Sequence, residues 1–173
     1  TQEYAFQFGI DVDATTAPFI VHTQVESPFF TSGGTTETPS NYQSNGLFIG
    51  TGSQDDYLKL VFGGNGGPAT QVLLESGGAV SSAEKYGSAV TGDFLAANAV
   101  DLYLEVDPAA GTAQPRISLD DGATIVDLGS PVAIPAAWLD SADGLGLAVG
   151  IISTSNGSTP FAATWDFVDV DFA

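Results

Sequence analysis

The chain has 173 residues, 3 of them basic and 21 acidic, for a formal net charge of −18. Only 14% of residues are charged, against about 25% in a typical domain, so charges are sparse and almost all negative. That balance excludes duplex nucleic acid and anionic membrane surfaces as partners, since clustered Lys and Arg hold both, and 43% hydrophobic residues exclude a disordered acidic chain.

The length fits one domain, residues 1–173. Cysteine and methionine are absent, so neither disulfides nor thiolate metal sites enter the fold. Without an initiating Met, a basic leader or an apolar leader, the chain reads as a mature fragment or a monomeric module of a longer protein. No apolar run reaches the ~18 residues of a membrane span, so no membrane insertion is expected. Acidic, lysine-poor, cysteine-free composition points to an extracellular or cell-surface location.

Glycine and proline are 30 of the 173 residues and punctuate short alternating runs, the pattern of an all-β sandwich. Residues 4–12 alternate Tyr4, Phe6, Phe8, Ile10, Val12. Strands follow at 19–26 and 46–50, the latter apolar enough to be buried on both faces. Residues 56–62 and 70–75 form a hairpin about a Gly-rich turn. Strands at 100–106, 116–119, 125–128, 145–152 and 161–172 complete ten or eleven. Residues 27–45 and 76–99 read as long loops, and Pro135 to Leu139 as a helical turn.

Side chains alternate across a strand, which sorts each run into two faces. His22, Gln24, Glu26, Lys59, Glu75, Tyr103, Glu105 and Arg116 fall on polar faces. In one sheet these residues would make a surface of cations, anions, amides and rings, suited to a hydroxyl-rich ligand such as a sugar. An ordinary solvated face with cross-strand ion pairs is the alternative. The ligand-binding candidates are therefore His22, Gln24, Lys59, Glu75, Tyr103, Glu105, Arg116 and, from a loop, Tyr42. Phe29, Phe30 and Trp138 are further aromatics that could stack on a ring, although Trp138 and Trp165 also suit the core.

Carboxylates cluster in ways that suit a hard cation such as Ca²⁺. Asp11 and Asp13 share a strand face ~6.6 Å apart, Asp55 and Asp56 end a Gly-rich loop, and Asp166, Asp169 and Asp171 crowd the last strand. Paired chain ends would bring the first and last of these groups together, where a structural calcium would relieve their repulsion. Turn carboxylates that accept backbone N–H groups are the alternative reading. Glu105 and Asp107 share a face ~6.6 Å apart, a spacing that could serve glycosidic cleavage, but Asp107-Pro108 also reads as the turn that ends the strand.

Two runs resemble a known type of module. One is Asn41-Tyr42-Gln43-Ser44-Asn45-Gly46-Leu47-Phe48-Ile49-Gly50-Thr51-Gly52, continuing through Ser53-Gln54-Asp55-Asp56-Tyr57-Leu58-Lys59-Leu60. The other is Gly146-Leu147-Ala148-Val149-Gly150-Ile151-Ile152-Ser153 followed by Phe161-Ala162-Ala163-Thr164-Trp165-Asp166-Phe167. Together they resemble the concanavalin A-like lectin/glucanase jelly roll found in secreted or surface proteins of bacteria. The resemblance implies two packed antiparallel sheets, a concave front face and a structural calcium near the chain ends. Asp166-Phe167-Val168-Asp169-Val170 matches the last-strand pattern that helps hold this ion in the glucanase branch, which marks Asp166 as a ligand. Glucanases of the fold carry a Glu-x-Asp-x-x-Glu strand. Glu105 and Asp107 keep its first two acids, and Ala110 stands in place of the third. The expectation is thus a calcium-stabilised, non-catalytic module that binds polysaccharide or another glycan within a larger enzyme or adhesin. A structural or adhesive module and a glycoside hydrolase are the alternatives.

Overall fold

The computed structural model describes residues 4–26, 38–40, 42–64, 66–140 and 146–172. Twelve strands lie among them: β1 (Tyr4–Ile10), β2 (Phe19–Glu26), β3 (Ser44–Gly50), β4 (Tyr57–Gly63), β5 (Ala69–Ser76), β6 (Ala79–Tyr86), β7 (Ala99–Asp107), β8 (Thr112–Ser118), β9 (Val126–Asp127), β10 (Val132–Ala133), β11 (Leu147–Thr154) and β12 (Thr164–Phe172). A four-residue helix, Ser88–Thr91, and a 3-10 turn, Ala136–Leu139, complete the regular structure.

The strands form two antiparallel sheets. Sheet A runs β1-β11-β3-β4-β5-β6, and sheet B runs β10-β8-β7-β2-β12 with β9 also on β8. The architecture is the expected all-β jelly-roll sandwich of the concanavalin A-like kind. One apolar core lies between the sheets. Phe19, Val21 and Val25 of β2, Leu102 and Leu104 of β7, and Ile117 of β8 meet Leu47, Ile49, Leu58, Leu60 and Phe62 of sheet A there. Trp138 is buried in this core, and Trp165 packs against it. Phe29 and Phe30 lie outside the described residues.

Two differences from the sequence reading have physical causes. The stretch 76–99, read as a loop, contains β6. This edge strand is exposed on both faces, so it has no hydrophobic period to reveal it. Gly77 and Gly78, both at positive φ, form the tight hairpin that returns it to β5. The strand expected at 125–128 is only β9, because its neighbour β10 takes over pairing with β8 at Thr112 and Ala113.

Three glycines sit where strands of sheet A approach closely. A Cβ on Gly46, Gly50 or Gly150 would strike the backbone carbonyl of Leu60, Asp56 or Phe6 on the adjacent strand. The bare backbones let the strands close up there. The side chains beside them, Phe48, Tyr57, Lys59, Val61 and Ile152, are buried although they point away from the core. Replacing Gly150 with Ala should therefore overpack the sheet and cost about 1–3 kcal/mol. Gly87→Ala, which meets nothing within 4 Å, should stay within about 0.5 kcal/mol of the parent. Urea denaturation midpoints of the two variants check this contrast.

Candidate functional site

The predicted polar surface divides between the two sides of the sandwich. His22, Gln24, Tyr103, Glu105 and Arg116 lie together on sheet B, where β2, β7 and β8 are neighbours. Lys59 and Glu75 lie on the outer face of sheet A, because β4 and β5 pair there. Tyr42 joins them at the end of β3. The expectation of a single surface is corrected accordingly. Alternation fixes which face a residue takes within its strand but does not say which sheet the strand joins.

On sheet B, strand register builds straight rows. Asp169, His22, Tyr103, Arg116 and Asp127 stand side by side across β12, β2, β7, β8 and β9. The His22 and Tyr103 rings stack with centroids 4.2 Å apart, and Phe167 meets the imidazole edge-on. His22 Nε2 lies 2.9 Å from Oδ1 of Asp101, a carboxylate only 3% exposed, which also accepts from Gln24 Nε2 at 3.1 Å. Arg116 is held by Glu105 and, at 2.7 Å, by Asp127. Burial, and then the charges of Asp101, Asp121, Asp120 and Asp169, push the Tyr103 phenol up to about 12. Next to this row is a cleft of about 200 Å³ whose walls include Ile20, Glu105, Asp169 and Asp171. The polar groups of this face largely satisfy one another.

Sheet A presents two hollows. A cleft of about 370 Å³ is lined by Tyr4, Gln7, Phe48, Gln54 and Tyr57. A second of about 200 Å³ is lined by Tyr42, Lys59, Gln71, Glu75 and Asn156. Tyr57 borders both, so the two are neighbours on the outer face of sheet A, and the second is the groove that holds Lys59 and Glu75. Tyr42 is 51% exposed and sits at φ 62°, a conformation uncommon for a bulky residue and tolerated where surrounding structure enforces it. The Tyr57 hydroxyl donates to Glu75 Oε2 at 2.7 Å. Lys59, 7% exposed, holds Nζ 5.7 Å from the Tyr57 ring centroid. Desolvation lowers the Lys59 ammonium to about 8, against a smaller opposing pull from Glu75. Tyr57 and Gln71 were missing from the candidates, yet they alternate onto the same faces as Lys59 and Glu75, which is the signal that could have found them.

The carboxylates expected to hold calcium are scattered. Asp13 follows β1 and accepts the Thr15 N–H and hydroxyl, both at 2.7 Å. These bonds lower its carboxyl below the usual range. Asp11 is exposed nearby. Asp166 sits at the β12 bulge facing Val25 and Gln24, about 20 Å along β2 from Phe19 by strand rise. The first and last strands do not pair, since β1 lies on β11 in sheet A and β12 on β2 in sheet B, and Asp166 stands at the Val25 end of β12, away from Asp11 and Asp13. The Asp56 carboxylate accepts Ser76 Oγ and the Gly77 N–H, and the Asp55 carbonyl accepts the Gly78 N–H. Among the described residues no group of three or more His, Asp or Glu is placed to hold a metal ion. Asp107 likewise accepts the Ala110 N–H in its turn, which takes it out of a pair with Glu105.

No protein-family model and no curated protein matches the sequence. Solved structures match in shape. The xylan β-1,4-xylosidase of Bacillus halodurans C-125 aligns with a TM-score of 0.64 and 15% identity over 90% of this chain. The xyloglucan PUL protein GH43B of Bacteroides ovatus aligns at 0.63 and 13% over 98%. CG-16, a homodimeric agglutinin from chicken liver, aligns at 0.53 and 7% over 97%. This chain spans 28% and 33% of the two bacterial proteins and the whole of the agglutinin. At such identities the likeness is one of fold, a sandwich shared by carbohydrate-active proteins. The expectation of a non-enzyme is corrected: solved structures that share this fold include GH43 glycoside hydrolases, and Ala110 at the position of a third acid does not set that class aside.

The lowered Lys59 sets a sign for stability. The unfolded lysine titrates near 10.5 and the folded one near 8, so the unfolded chain binds the extra proton between these values and stability rises with pH there. Lys59→Met should be more stable than the parent at pH 7, by up to about 3 kcal/mol. The gap should narrow steadily between pH 8 and 9.5. Denaturant titrations of both proteins at pH 7, 8 and 9.5 measure it, and a gap that does not change with pH contradicts the desolvation of Lys59.

Proposed function

We propose that this chain is the saccharide-holding β-sandwich of a secreted glycoside hydrolase acting on β-linked plant polysaccharide such as xylan or xyloglucan. The observation that carries the reading is the sheet A groove. It combines ring faces from Tyr42 and Tyr57, amides from Gln71 and Asn156, and an acid and a base from Glu75 and Lys59, within one hollow. Sugars present axial C–H faces to rings and vicinal hydroxyls to amides and charged groups, and sites built this way are concave with few polar anchors. The names of the structural counterparts, a xylosidase, a xyloglucan-locus protein and an agglutinin, supply the ligand class. The share of the bacterial enzymes that the chain spans supports a role as one part of a longer protein.

A second reading, hydrolysis by the chain itself, rests on one observation. Glu105 and Asp171 flank Ile20 in a single row of sheet B and line its cleft. Two strand spacings put their backbones about 9.6 Å apart, near the separation that admits an attacking water between two carboxyl groups. Glu105, positioned by Arg116, would take the proton of that water, and Asp171 would protonate the leaving oxygen.

Titration calorimetry with xylo- and xyloglucan oligosaccharides should give binding that weakens about tenfold in Tyr42→Ala, a loss expected when a stacking ring is removed. Unchanged affinity in that variant would remove the groove from consideration. Reducing-sugar release from the same polymers should fall at least about a hundredfold in Glu105→Gln and Asp171→Asn. The absence of any release by the parent chain ends the second reading and leaves the first standing.

A further inference from the structure

We propose that Lys59 receives the carboxylate of a uronosyl residue, so that the sheet A groove selects a neutral polysaccharide carrying isolated acidic branches. The inference rests on that groove being the saccharide site, and it adds what the site discriminates. The chain has only three basic side chains. Arg116 is committed to Glu105 and Asp127 on the opposite side of the molecule, and Lys85 lies on the edge strand β6. Lys59 is different. It is more than nine-tenths buried, it lines the groove, and among the described residues no carboxylate comes within ion-pair distance of it.

The nearest acid is already occupied. Glu75 stands opposite Tyr57 in the β4–β5 ladder and accepts its hydroxyl, whereas Lys59 stands opposite Leu73. Phe48 flanks Lys59 on the other side in the same row. An ammonium between two apolar neighbours and over a ring is desolvated, and the pull of Glu75 from beyond ion-pair distance offsets that only in part, which burial makes costly. A ligand carboxylate entering the hollow would supply it and gain a charge-assisted hydrogen bond in a poorly hydrated place.

The global charge limits how acidic that ligand is. A densely charged polyuronate approaches a body of −18 and is repelled over roughly a Debye length. One carboxylate on a neutral chain feels mainly the local cation. The chemistry thus points to sparse uronosyl substitution and away from both unsubstituted and fully acidic polymers.

The test uses the intact chain and three probes by calorimetry at pH 6.5: a neutral xylo-oligosaccharide, the same oligosaccharide with one glucuronosyl branch, and an oligogalacturonate. The branched probe should bind at least about tenfold more tightly than the neutral one, the gain expected of one charge-assisted bond, and the oligogalacturonate should bind no better than the neutral one. In Lys59→Met the branched and neutral probes should bind within about twofold of each other, because the charge that separated them is gone. Independently of any variant, the advantage should decay as pH rises from 7 to 9.5, since an unprotonated amine offers no charge. Neutral binding that depends on Tyr42 with no gain from the branch overturns the uronate claim and leaves the groove intact. A branch advantage that persists in Lys59→Met, or at pH 9.5, also overturns it. Failure of every probe to bind overturns the groove and the inference together.

Discussion

Everything on the two outer faces follows from the single apolar layer between the sheets. Val21, Leu104 and Ile117 of sheet B and Leu47, Leu58 and Leu60 of sheet A have no exposed surface at all. A strand slipped by one residue would place His22, Tyr103 or Lys59 in that layer and bring a core residue outside, an error costing several buried side chains at once. The pairing registers are therefore held by the core, and they align outer side chains into rows whose members come from strands far apart in sequence. Asp169, His22, Tyr103, Arg116 and Asp127 meet for this reason alone.

The same constraint explains how much was legible beforehand. Period-two alternation in β2, β4, β5, β7 and β8 told core face from outer face correctly at every candidate, because those strands carry a continuous apolar side. It could not reveal β6, which carries none. Nor could it assign strands to sheets, since the hairpin β4–β5 and the ladder β2–β7–β8 look alike one strand at a time. Hence Lys59 and Glu75 were grouped with His22 and Arg116, which the sandwich separates by its full thickness. The hollow in sheet A was hidden for another reason. Its walls join Tyr42 and Asn156, which lie outside the strands, to residues of β4 and β5, and no linear pattern brings those segments together.

The acidic excess has a structural use that needs no metal. A sandwich with almost no helix has many turns, and turn amides need acceptors. Asp13, Asp56, Asp93, Asp107 and Asp120 each accept a backbone N–H where the chain reverses. Hydrogen bonds from Thr124 and Ser118 lower the Asp120 carboxyl below its ordinary value, as Thr15 does for Asp13. Both carboxylates therefore favour the folded state above the ordinary Asp range and lose that contribution on acidification. Two residues that look like ion ligands in one dimension, Asp13 and Asp56, are in space separate turn clasps.

What the acids do not neutralise is Lys59. Arg116 faces two carboxylates on an open sheet, an arrangement of modest net worth. Lys59 sits in a hollow that could have carried a leucine, as its ladder partner Leu73 does. A hydrophobic residue there would pack as well and would avoid the desolvation that draws the ammonium down to about 8. A side chain that lowers stability in the free protein, in a hollow of sheet A and in a chain with two other cations, makes sense where something outside the chain supplies further negative charge. On this view the groove and the sheet B face divide the labour by chemistry. The first is left unsatisfied and so able to discriminate among ligands. The second is closed upon itself by His22, Asp101, Glu105 and Arg116, so that a substrate reaching it must displace ion pairs already made.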